Sequence, residues 1–411
     1  TADMDGDGSM DLLVSRAGRT ELLLNDGSGH FQDATSLLKM PDIVSQEFGA
    51  SVADYDRDGD LDIFLPRYPK EEPDLNGISP GVPSILLENR GSLGFIDVSE
   101  LLPAETNDGY PFVGGWHDLD LDGRPDLVLA NDHGQEIRSN RVWHNTPDGF
   151  IDVSEEWGLN VGIDAMGMAV GDANRDGHPD IVWTGWPELE LLESLDAGWV
   201  RTSDARQLLP DHEDRQVGWG LDWGDLNNDG RLDLMVAYSH WENYPEEGAP
   251  NVAPNPLAQP DALFIQTASG DYEESAAAWG VDSQGLSRSF VLADFNEDGS
   301  LDLVLNEAWG PTLLKTSECS CAGWVEIELE MPGLNSKAIG ATVKVTTAQG
   351  TQTAWVHAGG TNIAAGGPPR VHFGLGDIDT VETLEVTWPD GQCTSFRDVP
   401  GNQRLTISRS D

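Results

Sequence analysis

Long apolar runs are missing from this 411-residue chain. No stretch of about 18 apolar residues exists, so no segment has the length of a membrane-spanning helix. Basic residues are scarce: Lys and Arg total 23 against 72 Asp and Glu, a net charge of −49. A chain of that charge is repelled by nucleic acid and by anionic membrane surfaces, and membrane insertion is not expected. Cysteine is nearly absent. Cys319, Cys321 and Cys393 are too few for a disulfide scaffold. In an extracytoplasmic protein one of the first two is expected to pair with Cys393, and a site using all three thiolates is the alternative. No secretory leader is visible. Thr1-Ala2-Asp3 opens inside a repeat and lacks the strand that precedes every other copy, so an upstream segment is expected. Recognisable catalytic signatures are also absent: no G-x-S-x-G, no HExxH, no P-loop and no GxGxxG opening a helix.

Aromatic residues, by contrast, are plentiful, with 14 Trp, 11 Phe and 6 Tyr, and 38 % of residues are hydrophobic. That composition supports a packed core in spite of the charge. The acidic residues are also patterned. Six stretches read DMDGDGSMD, DYDRDGDLD, DLDLDGRPD, DANRDGHPD, DLNNDGRLD and DFNEDGSLD, spaced by 51, 64, 54, 53 and 69 residues. A period of that size indicates a propeller or solenoid.

The spacing suits calcium, a hard ion that takes six to eight oxygens at about 2.3–2.6 Å. Side chains at loop positions 1, 3, 5 and 9 supply the candidate ligands. They are Asp3, Asp5, Asp7 and Asp11; Asp54, Asp56, Asp58 and Asp62; Asp118, Asp120, Asp122 and Asp126. The last three loops offer Asp172, Asn174, Asp176 and Asp180; Asp225, Asn227, Asp229 and Asp233; Asp294, Asn296, Asp298 and Asp302. Up to six Ca2+ ions are therefore expected. Glycine at position 6 permits the sharp turn. The loop is not an EF-hand, because position 12 holds Val14, Leu65, Leu129, Trp183, Val236 or Leu305 where a bidentate Glu belongs.

Each loop runs into an apolar strand such as Ile63-Phe64-Leu65, buried from two sides. A short strand of small residues precedes it (FVGGWHD, GMAVGD, WGLDWGD). A third strand is expected in 21–24, 84–88, 141–144, 262–266 and 312–315. A fourth follows Gly-x-Phe or Gly-Phe, as in GHFQDATS, LGFIDVSE and DGFIDVSE, and weakens to GWVRTSD and GDYEESA. Four strands ordered inner to outer make a propeller blade. From residue 323 on, alternation at Val325, Ile327, Leu329, Val343, Val345, Leu384 and Val386 predicts a small β domain. The expected fold class is all-β, divided into a propeller over 1–318 and a β domain over 319–411.

The D-x-[DN]-x-D-G-x-x-D-[LI] hairpins resemble FG-GAP/VCBS repeats, the calcium-loop blades of integrin-α-type propellers. The C-terminal part resembles the ASPIC/UnbV domain through Asn335, Ala338-Ile339-Gly340-Ala341, His372-Phe373-Gly374-Leu375-Gly376 and Trp388-Pro389-Asp390-Gly391. It departs from that pattern in the Gly/Ala-rich run GGTNIAAGGPPR at 359–370. Together the two parts are similar to the cartilage-acidic-protein-like family of secreted, acidic proteins. The resemblance implies a seven-bladed ring. Six blades are legible, so a partner chain or a missing N-terminal segment would close it.

In a propeller the calcium loops crowd one face, and the second strands exit on the other. Candidate ligand-binding residues at those exits are Arg67, Asn131, His133, His240, Trp241, Asn306 and Trp309, with long inserts at 66–84 and 241–261 rising beside them. Three functions are compatible with this pattern. The first is a secreted module, extracellular or periplasmic, that binds a protein or glycan surface. The second is a subunit of a larger extracytoplasmic complex. The third is a hydrolase or lyase using His133, His240 and nearby carboxylates, although nearly all paired carboxylates are committed to calcium.

Overall fold

The computed structural model describes residues 1–411 other than 17, 42–44, 71–80, 187–188, 196–197, 209–215, 241–258, 309, 318–321, 360–365 and 411. The chain is all-β. Its repeats fold into six successive sheets, antiparallel apart from one parallel pairing of Phe95 and Ile96 with Leu38 and Lys39 in the second, the blades of a β-propeller, and each acidic loop opens the second strand of its blade. These second strands are Leu12–Arg16, Asp62–Leu65, Asp126–Asp132, Asp180–Trp186, Asp233–Tyr238 and Asp302–Glu307. In blades 2 to 4 apolar residues on both faces bury them between neighbouring blades: Ile63, Phe64, Leu127, Val128, Ile181 and Val182 are all fully buried, whereas Leu12–Arg16 of blade 1 is only partly buried.

Blades 2 to 6 have an inner strand ahead of the loop: Ser51–Ala53, Tyr110–His117, Asp164–Gly171, Gly218–Gly224 and Ser287–Ala293. Successive inner strands lie against one another around the axis, which explains their small residues. A Cβ on Gly167 would sit 2.1 Å from the Trp219 carbonyl oxygen of the next blade. Among the described residues blade 1 has no inner strand beyond the bridge between Ala2 and Asp11. The expected third strands form at Arg19–Asn25, Ile85–Asn89, Arg141–Thr146, Ala262–Gln266 and Thr312–Lys315. Blade 4 adds Glu190–Leu195, which the sequence disguises with two carboxylates. Glu190 and Glu193 are buried there because Arg201 and Arg206 reach over to pair with them.

The C-terminal residues fold into a three-stranded sheet (Gly323–Glu330, Arg370–Gly376, Gln403–Ser408) and a four-stranded one (Thr342–Thr347, Gly350–Trp355, Thr380–Thr387, Cys393–Pro400). Val325, Ile327, Leu329, Val343, Val345, Leu384 and Val386 all point into the core between them. A further short strand, Ala358–Gly359, leaves this domain and pairs with Ser51 and Val52 on the inner edge of blade 2. The C-terminal domain therefore sits on the acidic-loop face of the propeller, a placement that the sequence does not announce.

Candidate metal centres and the two faces of the propeller

All six loops share one hydrogen-bond scheme. The position 1 carboxylate accepts from the amide of the position 6 glycine, at 2.7–3.1 Å. The position 3 oxygen accepts from the position 5 amide, at 2.9–3.2 Å. The position 5 carboxylate accepts from the position 7 amide, at 2.7–3.1 Å. Positions 4 and 6 are both left-handed. Position 6 is always glycine, whereas position 4 is Gly6, Arg57, Leu121, Arg175, Asn228 or Glu297, with φ between 58° and 74°.

Position 9 does more than offer a ligand. Asp11, Asp62, Asp126, Asp180, Asp233 and Asp302 are buried. Each accepts from the position 2 amide with one oxygen and from a third-strand or following amide with the other, at 2.7–3.3 Å. The carboxylate bolts the loop to the blade. The sequence carries a signal for this role: position 3 alternates between Asp and Asn, but position 9 never does. An amide has one acceptor oxygen and could not take both bonds.

Carboxylates converge most clearly in the first three loops. Oxygens of Asp3, Asp5 and Asp11, of Asp54, Asp56 and Asp58, and of Asp118, Asp120 and Asp122 lie within 4.8 Å of one another in each set. In loops 2 and 3 one oxygen of the position 1 residue, Asp54 Oδ1 or Asp118 Oδ1, is buried and accepts no hydrogen bond among the described residues. Burial, reinforced by neighbouring carboxylates, pushes Asp54 up to about 6 and Asp118 up to about 7. A cation at the centre would satisfy the orphaned oxygens and restore the charged forms, so these residues fit a hard divalent ion. Loops 4 to 6 hold less charge through Asn174, Asn227 and Asn296. In loop 5 Arg231 pairs with Asp229, and in loop 6 Asn296 Nδ2 donates to Asp298 Oδ2 at 3.0 Å.

The C-terminal domain contacts these loops directly. Ser336 Oγ donates to Asp3 Oδ2, and the Asn335 amide donates to the Gly59 carbonyl at 3.1 Å. Arg175 reaches the Gln349 and Thr351 carbonyls at 3.3 and 3.4 Å. His372 Nε2 lies 2.8 Å from Asn228 Oδ1, and Arg404 Nη1 donates to Glu297 Oε1 at 3.2 Å. Leu334 packs on Gly6, and the Trp324 ring lies over Gly299. Between the two parts lies a cavity of about 150 Å³ lined by Asp222, Trp223, Glu326, His357, Arg370 and His372. Burial holds His372 down at about 4 and lowers His357 as well.

On the opposite face the described ligand candidates have separate surroundings. Arg67 is buried, and its Nε donates to Ser45 Oγ at 2.8 Å beside Glu47. Asn131 is buried too, with its amide nitrogen on the Ser139 carbonyl. His133 is partly buried against Asp132, whereas Asn306 is exposed and reaches Ser289 Oγ at 3.4 Å. His240 is half-buried, and its carbonyl accepts from Arg288. Trp241 and Trp309 lie outside the described residues, as do Cys319, Cys321 and most of both inserts; Cys393 is exposed and free. The centre of this face is filled by an apolar plug of Phe48, Tyr68, Tyr110, Phe112, Met166 and Trp219. Tyr68 stacks on Phe112 at 4.7 Å, and Arg288 lies 3.9 Å over Trp219. Trp116, by contrast, stacks between blades on Tyr55 at 6.0 Å.

A family model for FG-GAP-like repeats matches residues 3–65 and 118–183, and one for ASPIC and UnbV matches residues 331–411. The chain is an FG-GAP-repeat protein with a C-terminal ASPIC/UnbV domain. The FG-GAP match covers the first four acidic loops, including the three whose carboxylates converge. Among curated proteins the chain is 26 % identical to human cartilage acidic protein 1 over 69 % of its own length and 41 % of that protein's. It is likewise 26 % identical to the Mus musculus protein, over 66 % of this chain and 40 % of that one. The chain thus spans about two fifths of the curated relatives it matches. Solved structures that align with it include an Agrocybe aegerita lectin recognising non-reducing terminal N-acetylglucosamine, with TM-score 0.43, 15 % identity and coverage of 78 % and 80 %. The rhamnogalacturonan lyase YesW aligns with TM-score 0.37 and 15 % identity over 99 % of this chain and 72 % of that one.

Proposed function

We propose that this FG-GAP, ASPIC/UnbV protein is an extracellular or periplasmic binding and assembly module stiffened by calcium. The observation that carries the reading is the buried oxygen on Asp54 and on Asp118 that has no hydrogen-bond partner among the described residues, each residue being one of three converging carboxylates. In loops 2 and 3 Asp54, Asp56, Asp58, Asp118, Asp120 and Asp122 would hold the ion, and the ion would supply charge compensation rather than chemistry. The chain's own residues do the remaining work. The position 9 carboxylates tie loop to blade, and the loops seat the ASPIC/UnbV domain. The opposite face is then left for a protein or glycan partner. The net charge of −49 disfavours nucleic acid and anionic membranes as that partner, and the relationship to cartilage acidic protein supports a place outside the cytoplasm.

The test is retention of the protein on immobilised matrix proteins and glycans in calcium and in EGTA. Retention in calcium, lost in EGTA and weakened in an Asp54→Asn, Asp118→Asn double variant, is the expected result. Equal retention under all these conditions would remove calcium from the function.

A further inference from the structure

A second kind of metal ligand gathers far from the acidic loops. Asp132 ends the second strand of blade 3, His133 follows it, and Asp164 begins the inner strand of blade 4. The acidic loops stand at the other ends of these strands, so the cluster belongs to the opposite face. One ligand atom from each of the three residues lies within 4.8 Å of the others. A tetrahedral ion with bonds of about 2.0–2.2 Å needs ligand atoms roughly 3–4 Å apart, so little movement would bring them together.

Several features hold the cluster in place. Tyr68 Oη donates to Asp132 Oδ2 at 2.8 Å, and the His133 amide donates to Asp132 Oδ1 at 2.9 Å. The Asp132 side chain is only 10 % exposed, and His133 Nε2 stands 3.4 Å from its Oδ2. His133 adopts a left-handed backbone (φ 54°), and the Tyr110 ring meets its imidazole edge-on at 5.5 Å. Asp164 Oδ1 is buried and accepts no hydrogen bond among the described residues. A buried carboxylate oxygen in that state is costly unless something positive meets it.

We propose that Asp132, His133 and Asp164 form a site for a divalent first-row transition metal of the zinc class. An imidazole with two carboxylates is an unlike set to the all-oxygen loops. It selects a borderline ion over calcium, because nitrogen is a good ligand for zinc and a poor one for calcium. Three protein ligands leave a fourth position for water or for an oxygen donor on a bound partner. Tyr68 is a positioning residue, orienting Asp132 from behind.

The experiment uses the full chain saturated with calcium and titrated with Co2+, whose visible ligand-field absorption reports the site directly. One Co2+ per chain, displaced by Zn2+, is expected. His133→Asn keeps a residue that tolerates the left-handed backbone, and Asp164→Asn keeps the shape. Each should weaken Co2+ by tenfold or more, and Tyr68→Phe by about tenfold, with metal-free melting temperatures close to wild type. Absence of a Co2+ band would overturn the proposal. So would a band that survives both His133→Asn and Asp164→Asn, or one abolished only by His144→Gln, which would place the ion beside Asp120 and Asp126 in loop 3. Loss of calcium from the acidic loops would leave this band in place, so failure here is distinguishable from failure of the calcium reading.

Discussion

Chelation of calcium should lower the melting temperature steeply, and the size of the effect follows from the loops. Three of them bring three carboxylates within 4.8 Å of one another, and without an ion this charge is held at a cost. Burial is the leading cause of the upward shifts of Asp54 and Asp118, to about 6 and about 7. An ion that binds only the folded state stabilises it by RT ln(1 + [L]/Kd), about 2.7 kcal/mol per site when calcium is 100-fold above Kd. Three such sites give about 8 kcal/mol. Each kcal/mol moves the transition of a large domain by about 2 °C, so chelation should lower it by roughly 15 °C. Differential scanning calorimetry in calcium and in EGTA reads this directly. Asp118→Asn should remove about one third of the difference and do little in EGTA. A melting curve that EGTA leaves unchanged would refute the argument, because the convergent carboxylates would then be carrying their repulsion without an ion.

Two further outcomes are expected. Asp261 is buried in blade 5, where it accepts from the Tyr238 amide and from Ser287 Oγ, and burial pushes it up to about 8. Between its ordinary value and about 8 the folded state keeps a proton that the unfolded chain has lost. Stability should therefore fall as pH rises through that window, by at most about 1.4 kcal/mol per pH unit from this group. Asp261→Asn should flatten that part of the profile in urea titrations, and an unaltered slope would count against the assignment. Gly299→Ala places a Cβ 1.9 Å from the Trp324 ring at φ 88°. Left-handed strain of about 1–3 kcal/mol then adds to a displaced tryptophan. Trp324 fluorescence should shift, and limited proteolysis between the propeller and the C-terminal domain should accelerate; wild-type rates would show that the domain does not rest on loop 6.

Much of the fold was legible because its signals repeat. A single Asp-rich loop is a common turn, but the same loop followed each time by a strand apolar on both faces, as in Asp62–Leu65 and Asp180–Trp186, fits few structures other than a blade. Alternation at Val325, Ile327 and Leu329 placed the C-terminal core for the same reason. Illegible elements are those whose burial depends on a distant partner. Glu190–Leu195 reads as acidic surface until Arg201 and Arg206 neutralise it. Ala358–Gly359 is too short and too small to signal a strand, and it forms one only because Ser51 and Val52 present an open edge. Arg67 looked like a surface cation at a strand exit. Its neighbour Glu47 lies 20 positions earlier in the chain, and the pair is buried together.

The acidic loops show how constancy and variation divide the work within one motif. Positions 1, 5 and 9 are Asp in all six copies. Position 9 in particular spends both oxygens on backbone amides, so it cannot change to Asn without losing a bond. Position 3 gives one oxygen to one amide, and there Asn174, Asn227 and Asn296 are tolerated. Position 4 supplies no candidate ligand, and its identity varies from Gly to Arg, Leu, Asn and Glu. Yet it adopts a left-handed backbone in every loop. Four of the six position 4 residues meet the C-terminal domain, each by a different chemistry. Gly6 receives Leu334, Arg175 donates to the Gln349 and Thr351 carbonyls, Asn228 meets His372, and Glu297 accepts from Arg404. A ring of near-identical loops could not by itself fix the rotation of an asymmetric domain above it. The unlike position 4 residues can, because each fits only one point on the underside of that domain. What is constant in the loop builds the hairpin and its cation site; what varies sets the orientation of the domain that sits on it.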